Sequence, residues 1–149
     1  MSASSIAQPE VLFYLLNSTD PQSFERFCCQ LVNKIYQQSR RCDLRFADLH
    51  QAQRFDLTLW NWQNTAFIPH ALEQAQPAPI QLYPQSIPHP CQDVLINLHP
   101  EFYPAFSSYQ RTIEILDQSD YLVQKGRQRW KAYQQNDITP LLHKIGFSN

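Results

Sequence analysis

Two hydrophobic rhythms alternate along the first sixty residues of the chain. "VLFYLL" (11–16) is a short continuous apolar run, the pattern of a strand buried on both faces. Beyond it "NSTDP" offers Asp20 as a helix N-cap and Pro21 at the first helical position. Phe24, Phe27, Cys28, Leu31, Val32 and Ile35 then recur at helical spacing. "CDLRFAD" (42–48) reads as a second strand, and Leu49, Ala52, Phe55 and Leu59 predict a helix that ends near Trp60. Strand, helix, strand, helix implies a parallel sheet.

The middle of the chain is broken by Pro69, Pro77, Pro79, Pro84, Pro88 and Pro90, which leave "IQLY" (80–83) as a short strand between turns. "DVLINL" (93–98) is a clear buried strand. "RTIEILD" (111–117) alternates less cleanly, and Asp117 or Ser119 is available to cap a last helix through about residue 134. From Asn136 onward the chain is polar, contains Pro140, and reads as loosely attached. The expected architecture is a single α/β domain of three layers, with a mostly parallel sheet of about five strands flanked by helices. Residues 1–10 form an extension, 11–134 the domain and 135–149 a tail. There is no internal repeat.

Composition narrows the class. A chain of 149 residues buries about two thirds of its unfolded surface in one core. No apolar run approaches the roughly 20 residues of a membrane span, and "MSASSIAQPE" lacks the cationic and apolar regions of a secretory signal, so a cytoplasmic location is expected. Cys28, Cys29, Cys42 and Cys91 show no C-x-x-C spacing and fit reduced thiols. The only glycines are Gly126 and Gly146. A Rossmann-like sheet without glycines in "NSTDPQ" lacks the loop whose backbone amides approach a phosphate, so no nucleotide cofactor is expected.

Charge is unevenly placed. The net formal charge is −1, yet residues 119–149 carry five Lys/Arg against two Asp, and the rest of the chain is acidic. "KGRQRWKAY" (125–133) alone holds four cations and two large aromatics. A focused basic patch suits a compact acidic partner better than a long phosphate backbone, which cations track along a groove. At about 100° per residue, Leu122, Gly126, Arg129 and Tyr133 share the face turned to the sheet, Val123 and Trp130 flank it, and Arg127 and Lys131 lie beyond. A glycine inside a helix costs about 1 kcal/mol relative to alanine, which points to a close backbone approach at Gly126. The plain alternative is a solvated amphipathic helix; Trp130 beside arginines favours a binding surface.

"LWNWQNTAFIPHAL" (59–72) is either a satellite core or an exposed protein-binding patch, and residue types alone favour core. His70, His89 and Cys91 have no second ligand pair at zinc spacing, so no metal site is expected. No nucleophile elbow appears, which makes an enzyme the weaker class.

"FYLL" (13–16), "LW" (59–60), "FIPH" (67–70), "DVLINL" (93–98) and "RQRWKAY" (127–133), in this order and at these separations, closely resemble the chi subunit family of the bacterial DNA polymerase III holoenzyme. The resemblance spans about residues 11–134. It implies a non-catalytic adaptor that forms a heterodimer with the psi subunit, and through psi reaches the clamp loader. Its other surface would hold the acidic C-terminal tail of the single-stranded-DNA-binding protein, which ends in proline and phenylalanine with a free carboxylate. Carried over by resemblance, the tail site falls on Leu116, Arg127, Trp130 and Lys131, with a further family lysine aligning on Val123. Lys125, two residues on, points about 200° around the helix from there. The psi site, used also by an accessory helicase, falls on Trp60 and Phe67. The rival is a direct single-stranded-DNA binder stacking bases on Trp130, Trp60 and Trp62.

Overall fold

A computed structural model describes residues 8–62, 68–72 and 78–147. In chain order the elements are β1 (Glu10–Leu16), α1 (Pro21–Gln37), β2 (Cys42–Phe46), α2 (Leu49–Trp60), β3 (His70–Leu72), β4 (Ile80–Pro84), β5 (Val94–Asn97), β6 (Arg111–Leu116), α3 (Asp120–Gln135) and β7 (Leu141–Ile145). A 3-10 segment, Pro104–Ser108, precedes β6. The strands form one sheet in the order β3-β4-β2-β5-β6-β1-β7, and every neighbouring pair is parallel.

Local chemistry starts the helices where the sequence marks them. The Asp20 carboxylate accepts from the Gln22 amide at 3.2 Å and the Ser23 hydroxyl at 3.0 Å, with Pro21 at the first helical position. Asp48 caps α2 by accepting from the Gln51 amide at 2.9 Å. The predicted second strand therefore stops at Phe46, because Asp48 belongs to the next helix.

The two faces of the sheet differ in kind. Alternate strand residues Leu44, Ile80, Leu82, Val94, Ile96, Ile113 and Ile115 meet Cys28, Val32 and Ile35 of α1 and Ala52, Phe55 and Leu59 of α2 in one apolar core. The opposite face, under α3 and the 3-10 segment, buries Asp43, Arg45, Asn97, Thr112 and Glu114 among Val11, Phe13, Phe106, Tyr109 and Tyr133. This explains the imperfect alternation of "RTIEILD": Glu114 is turned inward as a partner for α3, and no side of β6 faces water.

The sheet has seven strands where about five were expected. β3 lies in the proline-broken stretch and is only three residues long. β7 corrects the expectation of a loosely attached tail. Ile138 is buried and its amide bonds to Tyr133 O at 3.0 Å, which turns the chain back so that Leu141–Ile145 pair with β1. The Asn17 side chain then bonds to the Gly146 carbonyl and ties down the end of the strand.

Candidate functional site

α3 is entered through a tight turn in which both capping candidates take part. Ser119 is the N-cap residue, and its amide and hydroxyl both donate to Asp117 Oδ1, at 2.9 and 2.6 Å. Gly126, Arg129 and Tyr133 face the sheet, as their helical positions dictate. A Cβ on Gly126 would stand 2.7 Å from Leu116 Cδ2, and Cδ1 is nearer still, so the glycine permits the close approach of α3 to β6.

Beneath the helix lies a buried polar lattice. Arg129 Nε donates to Glu114 Oε1 at 2.9 Å, in a pair only 3% and 0% exposed. Tyr133 Oη donates to Glu114 Oε2 at 2.6 Å and Asn97 Nδ2 to the same oxygen at 3.1 Å. Arg45 Nη1 bonds Asn97 Oδ1 at 3.0 Å, and Arg129 Nη1 bonds the Pro100 carbonyl at 2.6 Å. Burial pushes the Glu114 carboxyl up, while Arg129, Tyr133 and Asn97 pull it back. An Arg–Glu pair so desolvated is costly unless every lone pair is met, and here the partners come from β2, β5, β6 and α3. The lattice fixes which side of α3 turns outward.

The cations of α3 are consequently unequal. Arg129 is consumed by Glu114. Lys125 Nζ donates to Glu101 Oε2 at 2.7 Å, which raises the Lys125 pKa and lowers that of Glu101. Arg127 and Lys131 are exposed and form no ion pair among the described residues.

Trp130 packs its ring on Phe13 of β1 with centroids 4.9 Å apart, so it leans to the β1 side of α3. Val123, seven residues earlier, is half-buried on the same side. Leu116, 9% exposed, ends β6 below Gly126. Leu116, Val123, Arg127 and Trp130 thus gather along one flank of α3, with Lys131 on its outer crest. Trp60 stands apart: it ends α2, is 50% exposed, and its ring lies 4.8 Å from that of His70. Trp62, two residues on, packs against the main core. Phe67 lies outside the described residues.

The sequence reading had no place for β7 beside this flank. Pairing sets Leu142 next to Phe13 and Lys144 next to Leu15. The available signal was Ile138, an apolar residue too isolated to mark a strand but able to anchor the turn before one.

Among the described residues no helix is long and apolar enough to cross a membrane, and no group of three or more His, Cys, Asp or Glu is placed to hold a metal ion. A cleft of about 500 Å³ opens at the carboxyl ends of the strands, between Phe24, Phe46, Leu98 and Leu122, where open α/β sheets place their ligands. No glycine lines it.

Comparison with known proteins gives a family. The family described as "DNA polymerase III chi subunit, HolC" matches residues 9–140. The DNA polymerase III subunit chi of Pseudomonas aeruginosa is 33% identical over 137 residues, covering 89% of this chain and 94% of that protein. Those of Escherichia coli K12 and Haemophilus influenzae are 28% and 30% identical, over 81% and 80% of this chain and 88% and 85% of their own lengths. A match over most of both chains, through β1 to the end of α3, shows that this chain belongs to the DNA polymerase III chi subunit family.

Proposed function

We propose that the protein is a non-catalytic, cytoplasmic adaptor of the DNA polymerase III holoenzyme in DNA replication. One surface takes the acidic C-terminal tail of the single-stranded-DNA-binding protein, and a second takes the psi subunit, through which the clamp loader is reached. The observation that carries the reading is the division of the α3 cations. Lys125 and Arg129 are spent on Glu101 and Glu114, while Arg127 and Lys131 stand exposed beside the apolar ledge of Trp130 and Leu116.

The chemistry follows from that arrangement. A terminal phenylalanine ring buries on Trp130 and Leu116, and the Arg127 guanidinium offers its planar fork to the terminal carboxylate, a contact that selects for a free chain end. Lys131 attracts the acidic residues upstream at longer range. A half-exposed Trp60 at the end of α2 suits an anchor for psi or for an accessory helicase, with Phe67 as its family companion. The buried Glu114 supports a non-catalytic role, since both of its oxygens are taken by structural partners, Oε1 by Arg129 at 2.9 Å and Oε2 by Tyr133 at 2.6 Å.

The test is a titration of a labelled acidic peptide ending in Pro-Phe. Binding is expected with a free C-terminus, and most of it is expected to vanish on amidation or on deletion of the final Phe. Equal binding of all three peptides would reduce the site to a generic acid-binding patch. Tight binding of bare single-stranded DNA would favour the direct binder instead.

A further inference from the structure

The family lysine that aligns on Val123 is absent from α3, and Lys125 cannot replace it because it is engaged by Glu101 on the opposite flank. The sheet carries an exposed cation on the α3 side from a different element, Lys144 of β7. In β1, Leu15 pairs with Leu116 of β6 on one side and with Lys144 of β7 on the other. Residues directly paired across strands point to the same face. Leu15 and Leu116 both pack into the core on the α3 side, so Lys144 belongs to that face too. The opposite parity agrees: Tyr14 and His143 stack at 5.5 Å, and Tyr14 meets Phe27 of α1 on the other face.

Leu116, Leu15 and Lys144 therefore form one row across the sheet, about 10 Å from end to end at two strand spacings. Their exposure rises along it, from buried to half-buried to exposed. Two residues back along the strands, on the same face, Leu142 stands beside Phe13, on which Trp130 packs, and is 47% exposed. Gly126 fixes the level of α3 over Leu116, and Val123, three residues or about 4.5 Å nearer the start of the helix, lies on its β1 flank just beyond the row. Lys144 makes no ion pair among the described residues; its ammonium rests 5.8 Å from the centre of the Phe147 ring.

We propose that Lys144 of the edge strand supplies the cation missing at Val123, so that the peptide socket lies between α3 and β7. Leu15 and Leu142 extend its apolar floor. The proposal rests on the tail-binding reading above and gives it a second wall: Arg127 on the helix, Lys144 on the strand, and a chain end with acidic residues between them. Charge complementarity names the occupant, because cations without ion pairs among the described residues on α3 and on β7, with Trp130, Leu15 and Leu142 between them, suit an acidic peptide with an apolar terminus.

The experiment measures binding of the labelled acidic Pro-Phe peptide, by anisotropy at low and high salt, to the full chain and to Lys144→Ala, Lys144→Glu, Lys144→Arg, Arg127→Ala and Val123→Lys/Lys144→Ala. Lys144→Ala is expected to weaken binding about two- to fivefold and Lys144→Glu about tenfold, the range of exposed charge contacts and their reversal. Lys144→Arg should stay near wild type. The added lysine at 123 should restore what Lys144→Ala loses, and a peptide with its aspartates changed to asparagines should no longer distinguish Lys144→Ala from wild type. Thermal unfolding checks that each variant folds. If wild type binds and Arg127→Ala weakens it while Lys144→Glu changes nothing, the β7 wall is wrong and the tail-binding reading stands. Loss in Lys144→Ala that persists with the uncharged peptide would also overturn the charge role. Failure of wild type to bind would overturn both.

Discussion

Gly126 leaves no space between α3 and the side chain of Leu116: any Cβ at that position must displace both methyl groups of the leucine. The relationship ties a backbone feature of the last helix to a residue of the proposed peptide floor.

Gly126→Ala therefore sets two effects against each other. Alanine favours the helix interior by about 1 kcal/mol, whereas overpacking costs typically 1–3 kcal/mol. The displaced atoms are the far end of a flexible side chain near the rim of the site, so relief comes by rotating Leu116. The expected outcome is a melting temperature close to wild type with a clearly weaker affinity for the acidic Pro-Phe peptide. Unchanged affinity would mean that Leu116 is not part of the peptide's floor.

The acid dependence of stability should reveal the cap on α1. The Asp20 carboxyl is held below the usual carboxylate range by the Gln22 amide first and the Ser23 hydroxyl second. The folded chain thus keeps Asp20 ionised to lower pH than the unfolded chain does. Its stabilisation is fully present above the unfolded value and fades as pH falls through the folded one. Asp20→Ala should melt below wild type at neutral pH, with the difference closing as pH falls through the lowered folded-state value, and Asp20→Asn, which still caps, should lose less. Thermal unfolding scans across that range check this. A gap of constant size at every pH would assign the cap's effect to something other than the carboxylate.

Much of this was legible because periodicity and capping agreed. Asp20-Pro21 before the Phe24 to Ile35 stripe, and the face shared by Gly126, Arg129 and Tyr133, can each be read from spacing alone, and the structure places them so. What was illegible depends on long-range pairing. β7 has no apolar alternation of its own, because it covers one edge and shows Leu141, Leu142 and Lys144 to solvent; it exists because Ile138 anchors a turn and β1 offers a free edge. Lys144 therefore gave no local sign of neighbouring Leu15. Arg129 was equally opaque. Its position predicts an inward turn, but only the sheet register shows Glu114 waiting beneath it.

The two proposed surfaces should be separable, since the sheet order holds them apart. Trp60 ends α2, which packs toward the β3 and β4 edge on one face, and the residues proposed for the tail site belong to α3, β6, β1 and β7 on the other. From β3 to β6 is four strand spacings, about 19 Å, beyond the range at which substitutions usually couple. Arg127→Ala removes a charge-assisted contact worth about 1.5 to 3 kcal/mol, or roughly 10- to 150-fold in peptide affinity. It should leave psi binding nearly unchanged. Trp60→Ala removes an aromatic anchor whose loss costs about 2 kcal/mol or more in psi binding where it is a hot spot, and it should leave the peptide site intact. Its half-exposed ring makes it a fair probe, because truncation there leaves no sealed cavity. Trp62→Ala serves as the contrast: that ring packs against the main core, so it should lower the melting temperature sharply. Psi binding, peptide binding and thermal unfolding are measured together for all three variants. If folded Arg127→Ala loses psi, or folded Trp60→Ala loses the peptide to the same degree, one shared surface replaces the two, and the adaptor could not hold both partners at once.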